Sequence, residues 1–252
     1  MQIFTIANQK GGVGKTTTAL NIADALRHSG YQTLFIDVDP QTNSTSSYKA
    51  AIEDTYTVYD LFKKECTADE AIQETEFGDI IAGDPNLSTI EMELQSQVGG
   101  YKVLKKALKK MKKNYDYVIV DTPPNLGIYM LNALIAADKV IVPIKAEKYA
   151  IDGLQRLIET IGDVQEEENP DLKVAGILLT TYDKRNELDR KLWDTLPEVG
   201  EAIGMPVFQN PIRISQDVKK AQDQVQSLFD AYPNSNAAFD YARVTKEILE
   251  EE

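Results

Sequence analysis

An apolar stretch, Ile3–Ala7, runs directly into Asn8-Gln9-Lys10-Gly11-Gly12-Val13-Gly14-Lys15-Thr16-Thr17, and an apolar helical pattern (Ala19, Ile22, Ala23, Leu26) follows at once. Strand, glycine loop and helix N-terminus in that order are the setting in which a phosphate loop works. Gly11, Gly12 and Gly14 let the backbone turn tightly, so that successive N–H groups, those of Val13 and Thr17 among them, converge on phosphate oxygens. The positive end of the helix adds to their field. Lys15 then reaches the β- and γ-phosphates and the Thr16 hydroxyl ligates Mg²⁺. ATP and Mg²⁺ are the cofactors this segment predicts.

The rest of the chain fits a fold that carries such a loop. Short β-branched segments bounded by turn residues alternate with longer helical patterns, which predicts βαβ units. The expected strands are Ile3–Ala7, Thr33–Asp37, Asp79–Ala82, Tyr117–Asp121, Lys139–Ile144, Val174–Leu179 and Pro206–Phe208. Several are nearly all apolar, as strands covered on both faces must be. The expected helices are Lys15 to His28, Pro85 to Gln97, Gly100 to Lys113, Ile128 to Ala136, Tyr149 to Glu166, Glu187 to Val199, Ser215 to Asp230 and Asn236 to Glu250. Gln41–Lys64 reads as a loop leading to a short helix. The fold class is α/β: a doubly wound, mostly parallel sheet with helices on both faces, in one domain spanning residues 1–252.

A phosphate loop alone places neither the metal nor the attacking water. Tyr117-Val118-Ile119-Val120-Asp121 is an apolar strand ending in a carboxylate, positioned to hold Mg²⁺ through water. Mg²⁺ keeps several waters and needs few protein ligands, so Thr16 and such carboxylates suffice. Phe35-Ile36-Asp37-Val38-Asp39 ends another strand, and residues two apart in extended chain point to one side. One Asp at a strand end is usually a solvated or capping group, whereas three in order after a phosphate loop form a set. His28, the single histidine, sits late in the first helix, close to its C-terminal end and away from the chemistry.

The usual GxxxxGK[ST] spacing would place glycine at position 9, where this chain has Gln9 followed by a second lysine, Lys10. Lys-Gly-Gly-Val-Gly-Lys-Thr-Thr is the deviant Walker A motif, and with it the sequence resembles the ParA/MinD/nitrogenase-iron-protein group. The resemblance implies that Lys10 reaches across a homodimer interface to the nucleotide of the other subunit. It also implies that Asp39 orients the attacking water and that Asp37 supports the metal shell. Asp121-Thr122-Pro123-Pro124-Asn125-Leu126-Gly127, Asn132-Ala133-Leu134, Ala136-Ala137-Asp138 and Glu147-Lys148-Tyr149-Ala150-Ile151-Asp152-Gly153-Leu154 resemble the ParA/Soj partition branch. Cys66 alone cannot ligate a four-thiolate cluster, which argues against an iron protein. The ending Lys246-Glu247-Ile248-Leu249-Glu250-Glu251-Glu252 would be repelled by anionic lipid, which argues against the membrane-bound branch.

In that branch the ATP dimer binds DNA without sequence preference, hydrolyses ATP slowly alone, and is stimulated by a ParB-type centromere-binding or adaptor protein during plasmid or chromosome segregation. Thr180-Thr181-Tyr182-Asp183-Lys184-Arg185-Asn186 and Asn210-Pro211-Ile212-Arg213-Ile214-Ser215 resemble its two DNA-facing segments. They imply Arg185 and Arg213 as DNA contacts, with Lys184 and Lys219 extending the patch, and Thr181 and Asn210 beside the nucleotide base. Phe208-Gln209-Asn210 and Ser215-Gln216 depart from the branch's usual Ile-Pro-Arg and Ser-Glu. Lys102–Lys113 forms an amphipathic helix with one lysine-covered face, which serves either solvation or phosphate contacts.

A net charge of −13 pulls the other way. It repels nucleic acid at long range, so DNA binding must be local, and an ATP-switched scaffold for protein cargo is the alternative. No apolar run approaches the roughly 20 residues of a membrane span, and the N-terminus lacks a secretion signal. A cytoplasmic location is expected, nucleoid-associated when ATP is bound, with no membrane partner.

Overall fold

Along each central strand successive side chains face opposite helical layers, and this alternation sets the architecture. In β1 (Gln2–Ile6), Ile3 enters one core while Phe4 and Ile6 enter the other, and Leu34/Phe35 and Val118/Ile119 divide in the same way. The computed structural model describes residues 1–147, 150 and 152–250. Its further strands are β2 (Thr33–Asp37), β3 (Ile72–Thr75), β4 (Gly78–Ile81), β5 (Tyr117–Asp121), β6 (Lys139–Lys145) and β7 (Lys173–Thr180). They form one seven-stranded sheet in the order β3-β4-β2-β5-β1-β6-β7. Every neighbouring pair is parallel except β3 with β4.

The helices are α1 (Lys15–His28), α2 (Asn43–Ser47), α3 (Val58–Lys63), α4 (Ala68–Ala71), α5 (Leu87–Ser96), α6 (Val103–Lys110), α7 (Ile128–Ala136), α8 (Asp152–Glu167), α9 (Glu187–Ile203), α10 (Gln216–Asp223), α11 (Leu228–Ala231) and α12 (Asn236–Glu250). Residues of α3 and α5–α9 pack on one face of the sheet, whereas α1 and α10–α12 cover the other. Phe4, Phe35, Ile6 and Ile36 are fully buried between the layers. Each contributes on the order of 1.5–3 kcal/mol by leaving water. β5 and β6 flank β1 on its two sides, so the sheet grows outward in both directions from the strand that carries the glycine loop. The crevice at the carboxyl ends there is where doubly wound folds hold ligands.

The mostly parallel, doubly wound sheet agrees with the sequence reading, and several local expectations are corrected. Pro206–Phe208 makes only an isolated bridge, Val207 to Ile177, and is no full strand. The antiparallel edge strand β3 was not foreseen. The expected helix Ser215–Asp230 breaks into α10 and α11, because Val225 adopts a left-handed φ of 49° and Ser227 caps a new helix with its hydroxyl. The helix expected over Gly100–Lys113 begins as a 3₁₀ turn, Gly100–Lys102, and α6 ends at Lys110. α9 runs on to Ile203, where Gly204 at φ 69° supplies the left-handed stop. Lys148, Tyr149, Ile151, Glu251 and Glu252, including the start at Tyr149 of the helix expected to run to Glu166, lie outside the described residues. Among the described residues no helix is long and apolar enough to cross a membrane.

Candidate functional site

The turn between β1 and α1 is built to leave donors free. Gly14, the N-cap of α1, sits at φ 88°, offers no side-chain cap, and no acidic residue occupies the first helical turn. The first N–H groups of an α-helix have no intrahelical partner, so this end presents unsatisfied donors and the positive end of the helix dipole. Gly12 is also left-handed, at φ 75°. The loop is pinned from three sides. Asn8 Nδ2 donates to the Pro143 carbonyl (2.7 Å), Gln9 Nε2 to the Gly153 carbonyl (2.6 Å), and Thr180 Oγ1 to the Val13 carbonyl (2.8 Å). A loop held this way keeps its amides aimed before any ligand arrives.

Lys15 is 6% exposed, and its Nζ donates across the loop to the Lys10 carbonyl at 3.1 Å. Burial lowers its pKa, while the nearby carboxylates of Asp121 and Asp39 work against that shift. The lysine therefore stands within the field of two of the three expected acids.

The three acids differ sharply in how their oxygens are used. Asp37 is fully buried, and its carboxylate accepts from the Asp39 amide (3.0 Å), the Thr45 amide (3.0 Å) and the Thr45 hydroxyl (2.7 Å). A side chain at Gly83 would come within 2.9 Å of that carboxyl group, which is why glycine follows β4 there. Asp37 is thus a brace for the loop and α2 rather than an open ligand. Asp121 accepts from Ser44 Oγ on Oδ2 at 2.6 Å, while its buried Oδ1 has no hydrogen-bond partner among the described residues. Asp39, 7% exposed, accepts the Gln41 amide on Oδ1 at 3.0 Å.

Burial pushes both Asp37 and Asp121 well above the usual carboxylate range. The closeness of Asp121 adds to the shift of Asp37, while hydroxyls of Ser44 and Thr16 oppose the shift of Asp121. Such a buried acidic pair favours positive charge beside it. The orphaned Asp121 Oδ1, with the Thr16 hydroxyl near it, fits a hard cation that keeps most of its water. Among the described residues no three His, Cys, Asp or Glu side chains are grouped so as to hold a metal by themselves.

Sequence reasoning missed Ser44 and Thr45, which lie in the short α2 and have no apolar periodicity to announce them. It also missed Gln222 of α10, whose Nε2 donates to Thr17 Oγ1 at 3.0 Å and ties that helix to the glycine loop. The signal in each case was spatial, a small polar side chain opposite a motif residue.

Beyond β7 the two expected basic segments come together. Tyr182 and Arg213 form a parallel bridge, with the Tyr182 amide donating to the Ile212 carbonyl at 2.9 Å and the Ile214 amide to the Tyr182 carbonyl at 2.9 Å. Thr181, exposed and left-handed at φ 54°, follows directly on Thr180, which bonds to the glycine loop. Asn210, half-buried, lies on the neighbouring segment. Lys184 and Lys219 are exposed. Arg185 has a side chain 82% exposed that forks onto Asp183, while Arg213 is locked in a two-pronged pair with Asp240, whose side chain is 3% exposed. Lys10 reaches neither Asp121 nor Asp39: its Nζ pairs with Glu147 at 2.5 Å.

The AAA domain family (AAA_31) matches residues 1–174. Over 252 residues the chain is 36% identical to the sporulation initiation inhibitor protein Soj of Bacillus subtilis, covering 98% of each. The chain belongs to the ParA/Soj family of partition ATPases. The chromosome partitioning protein ParA of Caulobacter vibrioides is 38% identical over 222 residues, covering 86% of this chain and 83% of its own. Among solved structures, cobyrinic acid a,c-diamide synthase from Mycobacterium smegmatis with bound ADP and magnesium superposes with a TM-score of 0.85 at 33% identity. That match covers 100% of this chain and 95% of the other. The ParA-type fold and the nucleotide-bound neighbour agree with the crevice described above.

Proposed function

We propose that the chain binds ATP and Mg²⁺ on the β1–α1 loop, pairs with a second copy around two nucleotides, binds DNA without sequence preference in that paired state, and is reset by hydrolysis. The observation that carries this reading is the combination at one point of an uncapped α1 N-terminus, buried Lys15 and the orphaned Asp121 oxygen. Backbone amides of Gly11 to Thr17 and the Lys15 amine hold the triphosphate. Thr16 and Asp121 hold the metal, with Asp37 keeping the acid cluster in place. The Mg²⁺ supplies neutralisation of charge on the phosphate oxygens when bound. Asp39 orients the attacking water and takes its proton.

Lys10 gives the nucleotide state its hold on pairing, since a ligand shifts an equilibrium only by binding one state better than the other. Turnover is slow alone and rises when a ParB-type partner completes the site, and the task is segregation of plasmid or chromosomal DNA. Arg185, Lys184 and Lys219 form the DNA-facing patch, while Thr181 and Asn210 flank the base. The second reading, a protein-cargo scaffold switched by ATP, draws support from the net charge of −13 and from the engagement of Arg213 by Asp240.

Retention of duplex DNA at low salt, compared in ATP and ADP, tests the proposal. ATP-dependent retention is expected, and its absence would leave the scaffold. ATP turnover with no added small molecule separates both readings from a biosynthetic ligase.

A further inference from the structure

Away from the crevice, α3, α4 and α6 enclose a hollow of about 300 Å³. Its floor is apolar: Leu61, Ala68 and Val103 are buried, and Ala107 and Cys66 are half-buried. Three lysines, Lys64, Lys106 and Lys110, line its mouth, and all are exposed. None of the three Nζ groups makes an ion pair or hydrogen bond with another described residue.

The carboxylates near this mouth are engaged by other groups. Glu65 pairs with Lys63 at 2.7 Å. Glu70 accepts the Thr67 amide in the capping box of α4, and Asp69 accepts the amides of Lys112 and Lys113. Asp60 accepts the Thr57 amide ahead of α3. The rim is therefore left cationic around an apolar floor. Lys102, just ahead of α6, belongs elsewhere, since it pairs with Glu168 at 2.5 Å.

We propose that this hollow docks an acidic segment of a partner protein that inserts one apolar side chain between α3 and α6 and sets carboxylates against Lys64, Lys106 and Lys110. Charge complementarity favours the acidic occupant, and the apolar floor favours a protein side chain over a phosphate backbone. Duplex DNA takes a row of cations but has nothing to bury in a hydrophobic hollow. Helix-in-groove recognition joins these two features in the way found here. The surface is independent of the nucleotide reading, because no residue of the glycine loop lines it.

Cys66, the single cysteine, lies in the floor and reports occupancy. Burial, reinforced by Asp60, Glu70 and Glu65, pushes its thiol up to about 11, so alkylation is slow and best followed at mildly alkaline pH. The probe is a short synthetic helix with one leucine flanked by glutamates. The controls are the same helix with lysine for glutamate, and duplex DNA. The acidic helix should protect Cys66 of the full chain, less so as salt is raised. In the variant Lys64→Gln/Lys106→Gln/Lys110→Gln, equal protection should need about tenfold more peptide, with ATP turnover unchanged. Equal protection by the lysine helix, no protection by the acidic one, or protection by DNA in its place would each overturn the proposal.

Discussion

Lys10 Nζ lies 2.5 Å from Glu147 Oε2 of its own subunit, and Lys145 stands 3.6 Å from the other oxygen of the same carboxylate. The Lys10 contact is the main force holding the Glu147 carboxyl below its ordinary range. In the proposed trans role Lys10 must first leave this acid, so the pair would oppose dimerisation. Both side chains are more than a third exposed, which limits each pair to at most about 1 kcal/mol. Two pairs open per dimer, so Glu147→Gln should tighten the ATP dimer by up to about 2 kcal/mol, roughly 30-fold. Light scattering across an ATP titration measures this. Lys10→Ala should keep ATP binding and lose the dimer, and a wild-type dimer fraction in that variant would refute the trans role.

Asp39 and Lys15 face the same space but should fail differently. Lys15 is the buried cation of the loop, and truncating one partner of a buried charged contact costs about 2–5 kcal/mol, so Lys15→Ala should weaken ATP binding by roughly 30-fold or more. Asp39→Ala leaves the cradle intact and removes the proposed proton acceptor. Its ATP binding should persist while phosphate release falls about 10²-fold or more, and the dimer should accumulate. Binding of a fluorescent nucleotide and single-turnover phosphate release separate the two. Normal phosphate release by Asp39→Ala would remove Asp39 from its role.

The features legible in the sequence are those written in local pattern. Ile3–Ala7, Thr33–Asp37 and Tyr117–Asp121 are apolar runs that only a doubly covered sheet can hide, and the glycine loop fixes what lies between strand and helix. β3 was not legible because Ile72-Gln73-Glu74-Thr75 is a partly exposed edge strand whose evidence is its pairing with β4. Val225 ends α10 in a conformation that a β-branched residue rarely adopts, so no propensity would place a break there. At the site, Gly11 to Thr17, Asp37, Asp39 and Asp121 could be named from spacing. Their division of labour could not, since Thr45 decides that Asp37 is held as a brace and Ser44 decides which oxygen of Asp121 stays free. The engagement of Lys10 by Glu147 joins residues far apart in the chain, beyond the reach of any window.

His28 gives a pH-dependent contact between α1 and α11. Its Nδ1 lies 2.9 Å from the Asp24 carbonyl and its Nε2 lies 2.9 Å from Asp230 Oδ1. Both neighbours are acceptors, and only the protonated ring donates from both nitrogens. Partial burial disfavours the charge, but Asp230 and then Asp24 outweigh it, so the folded pKa is raised. The folded state then binds the proton more tightly than the unfolded chain. Its stabilisation is fully present below the unfolded value of about 6.5 and is lost as pH rises through the folded value. The Asp230 side chain is 65% exposed, so the effect should stay under about 1 kcal/mol. The melting temperature of wild type should exceed that of His28→Gln in mildly acidic buffer, and the gap should close in alkaline buffer. A gap that widens with pH would reverse the assignment.

Arg213 and Arg185, equal in the sequence reading, should part in experiment. Arg213 holds Asp240 through both prongs, at 2.6 Å and 2.8 Å, and the acid's side chain is only 3% exposed. Removing the arginine strands a buried carboxylate. Breaking a fully buried pair costs about 3–5 kcal/mol, and because the Arg213 side chain is itself 41% exposed the expected loss is smaller, about 1–3 kcal/mol. Arg185→Ala breaks only an exposed contact to Asp183, so its melting temperature should match wild type while ATP-dependent DNA retention falls. Arg213→Ala should melt earlier, and its DNA defect can be read only after stability is restored by Arg213→Ala/Asp240→Asn. Recovery of DNA retention in that double variant would make Arg213 a clamp between the β7 segment and α12, and continued loss would make it a DNA contact. Thermal melts of the three variants, followed by DNA retention in ATP, decide between them.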